Sequence, residues 1–551
     1  MGRQRSRRCA AWVALLLISL LQACGSTGTR EGVGLDAATE RRSGEQVNGG
    51  STVMACRRWM HALDEMVKAR QAGDAQDQPV DGFVYARTSR FLSSWREELD
   101  TDDPSFRVWA AMLADRGREG LEAEWSRLSL ADRHELLSLG RDAQAPDERG
   151  AERIERCSRE LLAADLARPE ARQAMLENSA AKDAYVDWQR WLGAYPLSRV
   201  PFSAGVRRWQ EETQRTFDVA QDGTDSMPEG LTRYVPVGQP AGAGLSGRQA
   251  RASSPWPRNA LGVPILDAGD LSDLFTRHAP VLRMDVSTDD DRPGTMRVSP
   301  EGELLVDVMQ PVAYIRASFT RWGGQVMLQL NYLFWFSSRP ATSSLDLLAG
   351  RFDGFIWRVT LDESGLPLVY DTIHACGCYH EFFPVRGVLP RPVPEGERGN
   401  EWLFMPGEAP VLQEGQRMAL HLASGSHYLT RVAVADISEA GDVGGVRYGL
   451  IDENGLRALP VPAPSGESSG RTASAYAPDG LVPGSERLER FLFWPMGIPS
   501  AGAQRQWGHH ATAFVGRRHF DDPYLMESRF ELPRPGTAEK KATPAKHGHG
   551  L

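Results

Sequence analysis

Two cysteines and two histidines alternate along one short segment, residues 369–383, and they are the side chains most able to do chemistry. They are His374, Cys376, Cys378 and His380. Successive side chains of a β-strand point to opposite faces, so all four would share one face of a single strand. Two thiolates and two imidazoles form a ligand set typical of zinc. The sequence therefore makes zinc a candidate cofactor, held by these four residues.

A straight strand is too extended to bring all four side chains to one metal ion. Alternate Cα atoms of a strand lie ~6.6 Å apart, which separates the outer pair by ~20 Å, whereas zinc–ligand bonds measure ~2.0–2.3 Å. A metal site here needs a bend at Gly377 or ligands from elsewhere. The candidates for these additional ligands are His509 and His510, in the sequence WGHHATAFVG, together with His519.

Two other interpretations of this segment remain open. Cys376 and Cys378 can form a strained, redox-active disulfide, because strained bridges are the labile ones. The segment can also be a set of small and aromatic-sized residues that fill a core and do no chemistry. The cysteine spacing is neither C-x-x-C nor the C-x-x-C-H of a haem attachment site, so no standard motif decides between them.

The remaining cysteines predict one structural disulfide. Cys56 and Cys157 both lie on apolar faces of predicted helices in the same region of the chain. Closing a loop of about 100 residues would stabilise that region by up to about 4.7 kcal/mol in the chain-entropy model. The competing interpretation is two buried thiols.

Composition and charge exclude several functional classes. The chain has 63 basic and 72 acidic residues and a net charge of -9. It contains no polybasic block outside its first residues, so nucleic acid is not an expected partner. We find no H-E-x-x-H sequence, no P-loop and no dinucleotide-binding fingerprint.

Residues 52–220 show the three- and four-residue apolar spacing of helices packed on a core. Asp103 and Ser129 each precede such a stretch and are typical helix N-caps. This region is predicted to be an all-α domain. Its apolar stripes include Cys56, Trp59, Met60 and Leu63, then Phe106, Trp109 and Leu113, then Tyr185, Trp188, Trp191 and Leu192, and finally Val206, Trp209 and Phe217.

Residues 221–264 are rich in Gly, Pro and Ser and are predicted to connect two domains, with a short strand near Tyr234. Residues 265–535 then show the pattern of strands and turns, and predict a mainly antiparallel β domain of sandwich or barrel-like form. The predicted fold class is α+β with two domains, followed by a disordered tail at 536–551. The strands expected in the β domain are Val326–Phe336, Phe355–Leu361, Pro367–Phe383, Met418–Leu422, Leu429–Ile437, Val446–Ile451, Phe491–Trp494 and Ala511–Val515.

The first 24 residues have the organisation of an export signal. Four arginines precede an apolar run that starts at Ala10 and ends at Cys24, too short to span the ~30 Å hydrocarbon core of a bilayer. The last four residues, Leu21-Gln22-Ala23-Cys24, resemble the lipobox of bacterial lipoproteins. An ordinary secretory signal or an uncleaved anchor is the competing interpretation.

This resemblance implies a cellular location and a lipid modification. In that family residues 1–23 would be removed and Cys24 would carry the acyl chains, palmitate among them. Gly25 stands where an inner-membrane protein of that family commonly has Asp, which implies transfer to the outer membrane. Residues 24–51 would then be a flexible tether to a soluble body in the periplasm or at the cell surface. Loss of the four signal arginines would change the net charge from -9 to -13.

Short segments of the body also resemble uncharacterised envelope lipoproteins of no agreed activity. These segments begin at His278, Leu330 and Asp353. The resemblance implies no catalytic role. Our first hypothesis is a binding or structural lipoprotein whose β domain recognises an envelope component, with the membrane as partner through its lipid. The alternative is a metal- or thiol-dependent enzyme that uses the strand from His374 to His380.

Overall fold

The structure is a computed structural model, and part of the chain lies outside its description. The predicted export signal, Cys24, most of the predicted tether and the predicted tail at 536–551 are outside the described residues. The described stretches are residues 47–139, 149–222, 230–238, 256–436, 445–462 and 468–532.

Helices dominate the N-terminal part, as the apolar spacing predicts. The predicted caps are confirmed: the side chain of Asp103 accepts a hydrogen bond from Ser105 N at 2.7 Å, and that of Ser129 accepts one from Asp132 N at 3.1 Å. Within the described residues, no helix combines the length and apolarity needed to cross a membrane. The helices of this part are α1 (Val47–Ala69), α2 (Arg90–Ser93), α3 (Pro104–Arg127), α4 (Leu130–Ser138), α5 (Gly150–Leu166), α6 (Pro169–Asn178), α7 (Asp187–Leu192) and α8 (Tyr195–Asp222).

Two expectations for this part were wrong. It is not all-α, because β1 (Gln78–Val80) and β2 (Phe83–Thr88) form an antiparallel hairpin packed on α3. The stripe on α7 is not a core stripe either: Trp188 is 60% exposed and Trp191 is 79% exposed. Apolar spacing shows that one face of a helix is apolar but does not show what covers it.

The predicted disulfide between Cys56 and Cys157 is confirmed. The two cysteines join α1 to α5, with Cα atoms 5.1 Å apart and 101 residues between them in sequence. Both are buried among the apolar side chains of the helices. The bond therefore fixes the first helix to the rest of the helical core.

The C-terminal part is built on one large, mostly antiparallel sheet with helices beside it. Its hydrogen-bonded order is β11-β10-β9-β8-β7-β15-β3-β4-β13-β14, in which β15 pairs in parallel with β7 and β3, and β13 with β4. The ladder has two ends and does not close on itself. Its strands are β3 (Thr232–Pro236), β4 (Val281–Met284), β7 (Val312–Trp322), β8 (Gln325–Arg339), β9 (Gly350–Leu361), β10 (Pro367–His374), β11 (Glu381–Pro384), β13 (Gln416–Leu422), β14 (Leu429–Asp436) and β15 (Val446–Asp452).

Short elements complete this part. They are β5 (Thr295–Val298) with β6 (Leu304–Asp307), β12 (Leu389–Pro390) with β18 (Phe530–Glu531), β16 (Leu459–Pro462) with β17 (Ser468–Ala473), and the helices α9 (Ala268–His278), α10 (Arg490–Phe493) and α11 (Leu525–Arg529). Phe491–Trp494 is therefore helical rather than a strand, and Ala511–Val515 forms a single bridge, from Ala511 to His519, instead of a strand.

The central strand and the sheet core agree with the apolar pattern. Residues 326–336 of β8 are buried on both faces, as predicted for a strand between two neighbours. Aromatic rings meet on one side of the sheet: Phe334 contacts Tyr448, and Phe275 of α9 contacts Tyr332. The hydroxyl of Tyr332 donates a hydrogen bond of 2.8 Å to Phe275 O. This core joins strands from both halves of the ladder.

The predicted connection at 221–264 is partly a piece of the sheet. Its short strand is confirmed as β3, which lies between β15 and β4. Further along, Leu261 and Val263 pack into the core of the helical part. The described residues from 51 onward belong to one compact unit, so the structure does not confirm a division into two domains near residue 220.

A buried carboxylate links the helical part to the sheet part. Asp74, which follows α1, accepts hydrogen bonds from Arg457 Nη2 at 2.7 Å and from Arg127 Nη2 at 3.1 Å. Arg87 Nη1 lies 3.3 Å from the same carboxylate, and Gln506 Nε2 donates to it at 3.2 Å. Burial raises the pKa of Asp74, but the three guanidinium groups outweigh burial and lower it to about 2. Residues more than 380 positions apart are therefore joined by one ionised group.

We expect Asp74→Asn to lower the free energy of unfolding by about 3–5 kcal/mol, because it leaves buried guanidinium groups without their counter-charge. Asp64→Asn is the matched control, since Asp64 pairs with Lys68 at the exposed surface of α1 and such pairs contribute at most about 1 kcal/mol. Denaturant unfolding compares the two variants. The depressed pKa of Asp74 also means that its contribution is complete above the ordinary value of 3.8 and is lost as the pH falls towards 2. Equal stability of the two variants would contradict this role.

Candidate functional site

The segment expected to be one strand with four ligands is a hairpin instead. β10 ends at His374 and β11 begins at Glu381, and the chain turns between them. The turn closes with a hydrogen bond of 3.0 Å from His374 N to Cys378 O. Gly377 has a φ of +94°, and a Cβ atom there would lie 2.4 Å from Ala511 O. The prediction of a single strand was wrong because only glycine fits this turn, and the turn ends the alternation of side chains.

His380 forms a hydrogen bond to the buried ion pair of Asp371 and Arg358. Its Nε2 lies 2.9 Å from Asp371 Oδ2, and Asp371 also binds Arg358 through two hydrogen bonds of 2.9 and 2.6 Å. Arg358 Nη1 donates to Phe520 O at 2.5 Å. Burial lowers the pKa of His380 to about 3, so its ring is neutral at physiological pH. This cluster joins β9, β10 and the C-terminal loops, and its arrangement is that of a structural ion pair.

His509 and His510 are not brought to the thiols as ligands. His509 Nε2 donates a hydrogen bond of 2.7 Å to Ala75 O, and the His510 ring bonds the backbone of Ala375. No group of three or more His, Cys, Asp or Glu side chains that could hold a metal ion occurs in the part of the chain that the structure describes. The expected zinc site is therefore not assembled in this part of the chain, because each of the four histidines predicted as ligands has another partner.

Cys376 and Cys378 are buried free thiols side by side. Cys378 N donates a hydrogen bond of 3.4 Å to Cys376 Sγ. The hydrogen bond with Cys376, and burial after it, raise the pKa of Cys378 well above its ordinary value. A thiol reacts as the thiolate, so protonation at neutral pH disfavours Cys378 as a nucleophile.

The structure brings together a different group of polar residues, centred on Asp353. Asp353 Oδ2 lies 2.8 Å from His427 Nδ1, and Asp353 Oδ1 lies 3.5 Å from His374 Nδ1. All three side chains are buried. Burial raises the pKa of Asp353, but His374 and His427 outweigh it and hold the pKa well below its ordinary value. Burial also lowers the pKa of His374, against the attraction of Asp353.

Three bulky residues at this place have left-handed backbone conformations. Phe352, next to Asp353, has a φ of 55°, and Tyr379 and His427 have φ values of 61° and 54°. Such conformations cost about 1–3 kcal/mol each in a residue with a large side chain and persist where the surrounding structure enforces them. They concentrate at active sites and ligand sites, so their presence together makes this cluster the candidate site.

The side of the cluster nearest solvent is lined by two tyrosines and an arginine. The Tyr379 and Tyr428 rings meet edge to face at 4.5 Å, and both are partly exposed. Arg339 Nη2 donates a hydrogen bond of 3.1 Å to Tyr428 Oη, and its guanidinium lies 4.9 Å from the centre of that ring. Trp209 of α8 contacts Tyr379 at 5.3 Å. These partly exposed groups lie next to His374, whose ring is 5.1 Å from that of Tyr379 and 5.6 Å from that of Tyr428. We call this partly exposed side the approach to the cluster.

Glu489 is a buried acid beside this group that can exchange a proton near neutral pH. Burial raises its pKa to about 7, although Arg339 and Arg487 oppose the change. A Cβ atom at Gly502 would lie 2.0 Å from Glu489 Oε1, so a glycine at that position admits the carboxyl group. We call the cluster of Arg339, Asp353, His374, Tyr379, His427, Tyr428 and Glu489 the Asp353 site.

One buried polar atom of this cluster and one beside it lack a hydrogen bond within the described residues. They are His427 Nε2, which lies 3.7 Å from Asp291 Oδ1, and Gln504 Oε1. Gln504 Nε2 approaches Asp353 Oδ1 at 3.4 Å. Both atoms are therefore positions where a further hydrogen bond can form.

Of these seven residues, only His374 was expected to act. His427 lies in the turn between β13 and β14, and Asp353 lies in β9, at the other end of the ladder. They meet because the sheet curls. The sequence signals for this site were weak. Asp353 is, in the sequence, a charged residue before a strand, and the pattern at Ala423–His427 indicates a polar turn. Glu489 precedes a stretch that the apolar pattern assigned to a strand, and nothing in the sequence predicted that the Glu489 side chain is buried.

Comparison of the chain with protein-family models, with curated proteins and with solved structures found no match in any of the three.

The raised pKa of Glu489 predicts a pH dependence of stability. Between pH 4.5 and 7 the native carboxyl keeps a proton that the unfolded chain releases, so stability falls as the pH rises through this window. We expect the free energy of unfolding to fall from pH 5 to pH 8 by about 2–3 kcal/mol more in the wild type than in Glu489→Gln. Denaturant unfolding at the two pH values measures this difference.

The matched control for Glu489→Gln is Glu486→Gln, because Glu486 is exposed in the same segment. This control should keep the wild-type pH dependence. If Glu489→Gln keeps it as well, Glu489 does not titrate in this window and its assigned role fails.

Proposed function

We propose that this protein is a bacterial envelope lipoprotein whose β part binds a component of the envelope. The order of arginines, apolar run, small residue and Cys24 supports the first half of this proposal. On this proposal residues 1–23 are removed, the lipid on Cys24 holds the protein at the outer membrane, and the body lies in the periplasm or at the cell surface. The disulfide between Cys56 and Cys157 is consistent with an oxidising compartment.

We expect radiolabelled palmitate to be incorporated into the wild-type chain and not into Cys24→Ser, because the thiol of Cys24 is the acceptor. Cys9→Ser is the matched control, since Cys9 lies in the segment that would be removed. Mass spectrometry of the purified wild type should find Cys24 as the first residue. An intact leader, or equal labelling of Cys24→Ser, would contradict the proposed anchor.

The Asp353 site is the proposed binding site. One observation carries this proposal: the Asp353 carboxylate lies between two buried imidazoles, at the one place where three bulky residues have left-handed backbone. The strained backbone does not stabilise the fold, because each such residue costs about 1–3 kcal/mol of folding free energy. A binding site whose side chains are held in the bound geometry before the ligand arrives gives a reason for this strain.

The groups at the approach favour an acidic glycan as the ligand. The Arg339 guanidinium offers parallel N–H donors of the geometry that carboxylates and phosphates accept. The Tyr379 and Tyr428 rings offer flat apolar surfaces and hydroxyl groups, which suit the faces and edges of sugar rings. Envelope glycans that carry carboxylate or phosphate groups combine both requirements.

The test uses muropeptides released from peptidoglycan and deacylated lipopolysaccharide as probes, with titration calorimetry as the readout. We expect one of the two to bind the wild type and to bind Arg339→Gln at least about tenfold more weakly, since a charge-assisted hydrogen bond is lost. Arg297→Gln is the matched control, because Arg297 pairs with Asp307 on the surface hairpin β5–β6. Failure of both probes to bind, or equal binding by both variants, would overturn the proposed ligand.

A second candidate function is acid–base catalysis on the bound glycan, and Glu489 is the observation that favours it. A carboxyl group with a pKa of about 7, close to Arg339 and Asp353, can donate and accept a proton near neutral pH. Turnover of the bound probe that Glu489→Gln abolishes, while binding is retained, would support an enzyme. Binding without turnover in the wild type would support a binding protein.

A further inference from the structure

The turn between β10 and β11 holds the thiols of Cys376 and Cys378 in contact. Gly377 N donates a hydrogen bond of 2.7 Å to His374 O, and His374 N donates one of 3.0 Å to Cys378 O. The Cys378 thiol hydrogen-bonds the Cys376 thiol. Disulfides join Cα atoms about 4.4–6.8 Å apart, and alternate Cα atoms lie within that range even in an extended strand, at ~6.6 Å. A bond between the two sulfurs therefore needs little movement of the backbone.

The C-terminal loops hold this turn in place. Arg505 N donates a hydrogen bond of 2.8 Å to Ala375 O, and Arg505 Nε donates one of 3.2 Å to Cys376 O. A Cβ atom at Gly377 would lie 2.4 Å from Ala511 O, so these loops pack directly on the turn. The two thiols are thus positioned against each other in advance, which accelerates any reaction between them.

The two sulfurs have different surroundings. Cys376 Sγ accepts a hydrogen bond of 3.4 Å from Cys378 N, and the buried Arg505 guanidinium acts electrostatically on both cysteines. A hydrogen-bond donor and a nearby cation support a sulfur that carries negative charge. The hydrogen bond with Cys376, and burial after it, raise the pKa of Cys378, so Cys378 keeps its proton. Cys376 is therefore the sulfur suited to attack first.

The thiol pair is narrowly open to solvent. Cys376 and Cys378 are 7% and 9% exposed, whereas the neighbouring Ala375 is fully buried. Tyr379, which follows Cys378, and Tyr428 are partly exposed at the approach to the Asp353 site, and Cys378 interacts electrostatically with Tyr428. The pair therefore borders that approach. Such limited exposure favours a small reactant over a folded protein.

We propose that Cys376 and Cys378 form a thiol–disulfide exchange site that reacts with low-molecular-weight disulfides. The structure contains the pair as free thiols, which is the reduced form of this site. The exchange goes beyond ligand binding at the Asp353 site and does not depend on the proposed lipid anchor.

The exchange takes place in two steps. The Cys376 thiolate attacks one sulfur of the disulfide R–S–S–R, which forms a bond between Cys376 and R–S and releases the first thiolate RS⁻. Cys378 then attacks Cys376 Sγ, which forms the bond between the two cysteines and releases the second RS⁻. The protons of the two cysteines pass to the two released thiolates. The substrate disulfide is thus reduced to two thiols, and the two cysteines are oxidised by loss of the same two electrons.

The test uses the chain from Gly25 to Leu551, which retains every described residue and leaves out Cys9 and Cys24. Mild reduction of the native chain prepares the free thiols, and oxidised glutathione is then added as the substrate. Peptide mapping by mass spectrometry identifies the bonded cysteines. We expect a bond between Cys376 and Cys378, with two molecules of reduced glutathione released per chain.

A comparison with the unfolded chain separates an exchange site from a thiol pair that only fills the core. The same chain in denaturant gives the rate for thiols without fixed structure. We expect the native chain to form the bond at least about tenfold faster, because its thiols are already in contact. The buried disulfide between Cys56 and Cys157 should stay bonded and is the internal control.

Two variants separate the two steps. Cys378→Ser should stop after the first step and accumulate one glutathione on Cys376. Cys376→Ser should react at least about tenfold more slowly, because it lacks the attacking sulfur. An unchanged thermal midpoint shows that each variant is folded, and the result for the wild type does not depend on either variant.

The proposal is overturned if the native wild type reacts more slowly than the unfolded chain, if Cys376 and Cys378 do not become bonded to each other, or if the two variants react alike. Absence of glycan binding or of palmitate labelling would instead count against the proposed function and would leave this exchange unaffected.

Discussion

The curl of the ten-stranded sheet around its aromatic core is the constraint on which the rest of the structure depends. Strands from both ends of the ladder contribute side chains to one core, among them Phe383 of β11 and Leu429 of β14. Burying those side chains removes large apolar areas from water, which is the dominant favourable term in folding. The same curl brings the turn between β13 and β14 against β9, and only then does His427 reach Asp353. The candidate site is therefore a product of core packing.

Local patterns in the sequence predicted what depends on local structure. The helices with apolar stripes, their caps at Asp103 and Ser129, the buried central strand and the pairing of Cys56 with Cys157 all follow from spacing and residue type. The two-strand hairpin in the helical part was missed, and the pattern on Trp191 was assigned to a core. Spacing alone does not show which apolar face a neighbour will cover.

The site itself depends on long-range contacts that a single sequence does not show. Asp353 and His427 are 74 residues apart, and Glu489 comes from a third segment. His374 was found because it stands in an unusual run, yet its expected metal-binding role needed a bend at Gly377, and the turn formed there assembles no metal-ligand group within the described residues. Glycines shape two parts of the site. Gly377 permits the turn after His374, and Gly502 leaves room for the Glu489 carboxyl group.

The ionic link at Asp74 also determines what proteolysis would do to this protein. The carboxylate binds Arg127 from the helical part and Arg457 from the sheet part, and Leu261 and Val263, near the end of the predicted connection, pack into the helical core. A protease that cut between residues 239 and 255 would therefore not release two separately folded fragments. The nicked halves would migrate together in gel filtration and separate only in denaturant, as in other proteins whose fragments remain associated after cleavage.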